Sequence, residues 1–183
     1  MKMKACMQNR INTILVIGAG VGGIRASLNL AESGFKVYLC DQSPGIGGTL
    51  VQLDKWFPDN HCGMCKMLPI FAREESSQFC LRRGLIHPDI ELLPLSEVER
   101  VDGEAGRFLV RVRNSPPGVD SNLCIGCGLC AQACPVEVAD EFDQGLRRRK
   151  AIYLRHPFAP SNAYTIDWHN CTNCGACLGK CPT

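Results

Sequence analysis

Thr13-Ile14-Leu15-Val16-Ile17-Gly18-Ala19-Gly20-Val21-Gly22-Gly23 begins with five aliphatic or β-branched residues and ends in glycines, the pattern of a fully buried strand running into a tight turn. Beyond it Ile24, Leu28 and Ala31, with Ser27 and Leu30 beside them, form a helical stripe that stops at Gly34. Phe35-Lys36-Val37-Tyr38-Leu39-Cys40 then reads as a second strand, closing a βαβ unit of about 30 residues. Within that unit Gly18-x-Gly20-x-x-Gly23 follows a strand and opens a helix, and Asp41 ends the next strand 18 residues beyond Gly23. This context predicts a dinucleotide site. The first glycine makes the turn, the second admits a pyrophosphate, the third lets helix and strand pack closely, and Asp41 accepts hydrogen bonds from the adenosine ribose. Pro44-Gly45-Ile46-Gly47-Gly48-Thr49 adds a second glycine turn near the same phosphates.

Around this unit the chain has 183 residues, room for one ordinary domain or two small ones. A net charge of +2 gives no field that would point to nucleic acid or a membrane surface. The longest stretch free of polar side chains, Ile14 to Ile24, is too short to span a bilayer. Lys2, Lys4 and Arg10 precede Ile14–Ile17, but the glycines that follow cannot form the apolar helix of a secretory signal. Glu97 to Arg113 reads as a hairpin, with Val98 and Val101 before a Gly103–Gly106 turn and Phe108, Val110 and Val112 alternating after it. Ser115-Pro116-Pro117-Gly118 breaks the pattern and marks a domain boundary. The expected division is a Rossmann-like unit over 1–115 and a second module over 116–183.

Thirteen cysteines make the second module readable. Val119-Asp120, Cys124, Cys127, Gly128, Cys130, Cys134 and Pro135 recur, each shifted by 47, as Ile166-Asp167, Cys171, Cys174, Gly175, Cys177, Cys181 and Pro182. Such a repeat implies two copies of one structural unit. The insertion between them, about 138–163, carries the basic run Arg147-Arg148-Arg149-Lys150 and a strand expected over Ala151-Ile152-Tyr153-Leu154. The basic run reads as a solvated loop or as a docking patch for an acidic electron-transfer partner. C-x2-C-x2-C-x3-C-P, present twice, is the spacing of two-cluster ferredoxins, in which the fourth cysteine of each run ligates the other cluster. Cluster one would hold Cys124, Cys127, Cys130 and Cys181; cluster two would hold Cys171, Cys174, Cys177 and Cys134. A zinc site is the rival, but a third cysteine so close behind a C-x2-C serves a tetrahedral ion badly. An odd cysteine total and clustered thiols favour a reducing cytoplasm over a disulfide framework.

Cys62-Gly63-Met64-Cys65 leaves three readings open. It is a redox disulfide activated by His61 and Lys66, a pair of ligands to a further cluster completed by Cys80 or a partner, or two reduced buried thiols. Cys6 and Cys40 are expected to be structural.

In their order, the GxGxxG loop, the acidic strand end, Gly47-Gly48, Gln52-Leu53-Asp54-Lys55-Trp56-Phe57-Pro58, Cys62-x-x-Cys65 and the two-cluster module resemble the A-type subunits of heterodisulfide reductase and their relatives in anaerobes. The resemblance implies an α/β fold: part of an FAD-binding domain of the two-dinucleotide-binding flavoprotein type, with an α+β bacterial-ferredoxin-like module inserted. It implies FAD and two 4Fe–4S clusters as cofactors. The implied role is an electron-transfer subunit of an anaerobic oxidoreductase, whose flavin splits electron pairs or passes them among clusters. In that family the flavin domain resumes after the inserted module, so a downstream segment or another subunit of a redox complex is expected to complete it. The chain would then be a fragment, the first piece of a split subunit, or a degenerate product. Two alternatives remain: a ferredoxin-like carrier that binds no flavin alone, and an NAD(P)H-linked disulfide reductase using Cys62 and Cys65.

Overall fold

The structure, a computed structural model, describes residues 13–49, 52, 87–155 and 163–183. Cys6, Cys62, Cys65 and Cys80 lie outside the described residues, so the three readings of Cys62 and Cys65 stay as the sequence left them.

Strand β1 (Thr13–Ile17) leads through the glycine turn into helix α1 (Val21–Glu32) and returns as β2 (Lys36–Cys40), parallel to β1 with Thr13 beside Lys36 and Ile17 beside Cys40. A further strand, β3 (Ile90–Leu93), pairs in parallel with the other edge of β2, giving the order β1-β2-β3. The sequence pattern does not reveal β3, because four residues are too few to display a period. Ile24, Ser27 and Ala31 of α1 face the sheet, and the core gathers Ala19, Ile24, Ala31, Val37, Leu39, Ile46 and Ile90. Gly34 ends the helix at φ +89°, a value that glycine adopts without a Cβ penalty.

One expectation needs correction. β1 is not fully buried, since its Ile17 is 66% exposed; the more buried strand is the central β2, where Val37 and Leu39 are 0% and 1% exposed while Lys36 and Tyr38 are half-buried. Among the described residues β1 pairs on one side only, so its other edge is open to water.

β4 (Ser96–Glu104) and β5 (Arg107–Asn114) form the hairpin read from the sequence, with an irregularity between Val98 and Arg100. Its root is tied to the sheet. Ser96 N donates to the Asp41 carbonyl at 2.8 Å, and the buried Cys40 thiol donates to the Ser96 carbonyl at 3.2 Å.

From Ser115 the chain enters the cysteine-rich module. Pro116 and Pro117 are held there, since their carbonyls accept from Trp168 Nε1 at 2.7 Å and from Ile166 N at 2.9 Å. The module contains a short helix α2 (Leu129–Ala133), the antiparallel pairs β6 (Glu137–Ala139) with β7 (Arg148–Lys150) and β8 (Ile152–Tyr153) with β9 (Thr165–Ile166), and a 3₁₀ turn (Leu178–Lys180) packed against α2. The strand expected at 151–154 is therefore confined to Ile152–Tyr153, and the basic run before it is itself strand.

Candidate functional site

At the C-terminal end of β1 the turn is built for close approach. Gly18 has φ +96°, and a Cβ placed on Gly23 would stand 1.7 Å from the Gly18 carbonyl oxygen, so no larger residue fits there. By contrast, a Cβ on Gly20 or Gly22 meets nothing within 4 Å. Those two positions open onto free space at the start of α1, whose first turn carries no acidic residue and no capping side chain. Helix geometry leaves the first N–H groups without intrahelical partners, and the dipole makes that end favourable for anions. The second glycine turn closes on the first: Gly47 N donates to the Ala19 carbonyl at 2.6 Å, and a Cβ on Gly48 would lie 3.3 Å from Gly20 Cα. Six residues read from the sequence are thus brought to one place, Gly18, Gly20, Gly23, Gly47 and Gly48 with Asp41 beside them.

Asp41 does more than the sequence suggested. Its Oδ2 accepts from Ala19 N at 2.6 Å and its Oδ1 from Ser43 N at 2.7 Å, so the carboxylate ties the glycine turn to the residues after β2. Each oxygen keeps a further lone pair for a ribose hydroxyl. An empty space that a Cβ would fill, next to free N–H groups and a carboxylate at the strand end, fits the pyrophosphate and ribose of FAD.

In the module, a cavity of about 260 Å³ is lined by Cys124, Cys127 and Cys130 of the first run and by Cys177 and Cys181 of the second. Burial pushes the Cys130 thiol up, and the neighbouring Cys124 and Cys127 thiols add to the rise. Among the described residues no three or more His, Cys, Asp or Glu side chains converge to hold a single metal ion. The four thiolates of a 4Fe–4S cluster each bind a different iron and stand around its corners, and cysteines of both runs around one cavity are the donor type such a cube takes. Of the second set, Cys134 and Cys177 are half-buried, Cys171 is half-buried with its sulfur accepting from Asn173 N at 3.5 Å, and Cys174 is exposed.

Several backbone hydrogen bonds recur between the two copies of the internal repeat. Asp120 and Asp167 carbonyls accept from Cys124 N and Cys171 N, both at 2.9 Å; Gly128 and Gly175 carbonyls accept from Ala131 N and Leu178 N at 3.1 and 3.0 Å. Cys134 and Cys181 share an extended backbone, with ψ of 122° and 125°. Gly126 at φ +71° is matched by Asn173 at φ +54°, the side chain most tolerant of that region after glycine.

Tyr164 was missed by sequence reading. It lines the thiol cavity, its hydroxyl lies 3.0 Å from where a Gly128 Cβ would stand, and burial followed by the Cys130, Cys127 and Cys124 thiols raises its pKa. The repeat places Pro117 at the equivalent position, so only one copy carries this hydroxyl.

The basic run is strand rather than loop over Arg148–Lys150, with Arg147 and Arg148 still largely exposed and its charges paired with acidic side chains. Arg148–Lys150 pair with β6, Arg147 bridges to Asp143 at 2.9 Å, and Lys150 to Glu137 at 2.8 Å. Arg149 is 10% exposed, paired with Glu141 and with Asp167 at 2.9 Å, and stacked 4.0 Å over the Tyr153 ring. Four cations in a row could not reveal their partners, because Glu137 lies in β6, Glu141 and Asp143 in the turn after it, and Asp167 is 18 residues away from Arg149.

Fold and site together define a class: a dinucleotide-type βαβ unit joined to a cysteine repeat built for two clusters. Residues 13–52 match the model of an FAD binding domain, and residues 123–183 match that of a 4Fe-4S dicluster domain. FAD and 4Fe–4S clusters are therefore the cofactor classes of this chain. Over most of its length the chain is homologous to the A-type subunits of heterodisulfide reductase. It is 42% identical to the A-type iron-sulfur subunit of CoB--CoM heterodisulfide reductase from Methanocaldococcus jannaschii over 167 residues, 91% of this chain and 24% of that protein. A heterodisulfide reductase A-like protein of Archaeoglobus profundus is 44% identical over 88% of this chain and 22% of its own length. The A-type subunit of the ferredoxin:CoB-CoM heterodisulfide reductase from Methanosarcina mazei is 35% identical over 99% and 22%. The chain thus spans about a quarter or less of the length of these relatives.

Proposed function

We propose that this chain is the FAD- and cluster-bearing segment of an electron-transfer subunit of the heterodisulfide reductase type. The observation that carries the reading is the cavity lined by Cys124, Cys127 and Cys130 of the first run together with Cys177 and Cys181 of the second, in which thiols 47 and more residues apart in sequence face one space. We assign residues 1–115 to an incomplete flavin domain of the two-dinucleotide-binding type and 116–183 to the ferredoxin module, with its insertion at about 138–163. Cys124, Cys127, Cys130 and Cys181 would hold the first cluster and Cys171, Cys174, Cys177 and Cys134 the second. When bound, the clusters and FAD supply one- and two-electron redox chemistry. The protein's own residues position those centres. Gly18, Gly20, Gly23, Gly47 and Gly48 give the pyrophosphate a backbone cradle, Asp41 orients the ribose, and the Tyr164 hydroxyl supplies a donor beside the first thiol set.

The partners are other subunits of a redox complex, and a further segment that completes the flavin domain by pairing with the open edge of β1. Among the described residues no helix is long and apolar enough to cross a membrane. A cytoplasmic setting matches the reduced thiols the clusters require. The test is the spectrum and cofactor count of the chain after anaerobic reconstitution. About eight irons per chain, with flavin bands over the iron–sulfur shoulder, support this reading. The shoulder without flavin at any FAD concentration would favour a ferredoxin-like carrier instead.

A further inference from the structure

We propose that the cavity beside Asp41 receives the adenosine half of the bound dinucleotide, so that the cysteine-rich module holds FAD together with the βαβ unit. The inference rests on the flavin reading of the glycine loop and adds a subsite to it. A dinucleotide laid on such a loop runs from the pyrophosphate at the helix N-terminus to the ribose at the acidic strand end, and its purine lies beyond that residue. The next three residues here, Gln42, Ser43 and Pro44, form one wall of a cavity of about 430 Å³. A site of that size is ordinary for a small organic group.

The opposite wall comes from the module: Tyr153, Arg155, Trp168 and His169. The Trp168 indole is fixed by its hydrogen bond to the Pro116 carbonyl, yet the residue stays 45% exposed, so a rigid aromatic face is presented rather than packed away. Arg149 on this wall is already neutralised by Glu141 and Asp167. Arg155 has no ion pair among the described residues and stands where a cation can lie over a purine. The Glu141 and Asp167 carboxylates disfavour a phosphate in the same space. A neutral, flat, π-rich group meets all of these conditions.

The experiment compares FAD, FMN and ADP on the reconstituted full chain, because FMN keeps the flavin and one phosphate but lacks the adenosine. Flavin fluorescence and calorimetric titration read affinity, and iron content checks that the clusters are intact. Trp168→Ala should weaken FAD roughly tenfold, the usual effect of removing an aromatic ring from under a base, and leave FMN unchanged. Trp168→Phe should keep the preference for FAD. Arg155→Gln, on a side chain without an ion pair among the described residues, should also lower the ratio of FAD to FMN affinity, and serves if Trp168→Ala fails to load iron. ADP should compete with FAD on the unaltered chain. An unaltered chain that takes neither flavin overturns the reading of the glycine loop itself. An unaltered chain that binds FAD, with variants that lose FAD and FMN equally or lose neither, overturns only the adenosine subsite. So does ADP binding to the FAD-loaded chain without displacing the flavin.

Discussion

Gly20 and Gly23 are separated by three positions and fail in different ways when substituted. At Gly20 a side chain enters open space, so Gly20→Val should leave the fold intact and block the pyrophosphate. The measurable result is an unchanged far-ultraviolet circular dichroism spectrum with flavin lost and iron retained. At Gly23 an added methyl collides with the Gly18 carbonyl, so Gly23→Ala should lower thermal stability whether or not flavin is added. Equal thermal stability of the two variants would contradict this division of labour. Gly128 poses a third case: at φ +81°, with the Tyr164 hydroxyl in the way, Gly128→Ala should cost about 1–2 kcal/mol from the left-handed backbone alone. Asn173→Gly, at the matching strained position of the other copy, should be neutral or mildly stabilising in the same denaturant titration.

Between elements, the repeat makes a prediction that neither copy makes alone. If each run lends its last cysteine to the other, Cys134→Ala removes the electron paramagnetic resonance signal that Cys171→Ala removes, and Cys181→Ala the signal that Cys124→Ala removes. Pairing of Cys134→Ala with Cys130→Ala would defeat the crossed assignment. A second prediction concerns β7. Arg149→Ala leaves the Asp167 carboxylate, 13% exposed, with Asn170 as its remaining side-chain partner among the described residues, and should destabilise the module by about 3 kcal/mol. These elements also mark how far the sequence could be read. The βαβ unit and hairpin were legible because their periods of 3.6 and 2 are local, and the cysteine repeat because its spacing is the chemistry. β3 was hidden by its length. The ion pairs of β7 and the place of Tyr164 at the thiol cavity depend on contacts across the fold, which no local pattern encodes.

In the whole molecule, β1 has an open edge among the described residues, and it is there that we propose the completing segment of the flavin domain pairs. Ile17 sits on that edge two-thirds exposed. Ile17→Asp should therefore change the stability of this chain by no more than about 0.5 kcal/mol, as surface substitutions do, yet prevent co-purification with the segment that completes the flavin domain. Retained association would place that contact elsewhere. The thiol cavity has a consequence in time. Cys181 faces the same space as Cys124, Cys127 and Cys130, but it leaves the ribosome 51 residues after Cys130. If these four thiols hold one cluster, three of them wait roughly 3–10 s for the fourth at about 5–20 residues per second. During that interval the nascent chain exposes a three-cysteine site to whatever iron, copper or oxidant is near. Filling it correctly becomes a matter of scheduling, with the final residues of the module as the clock.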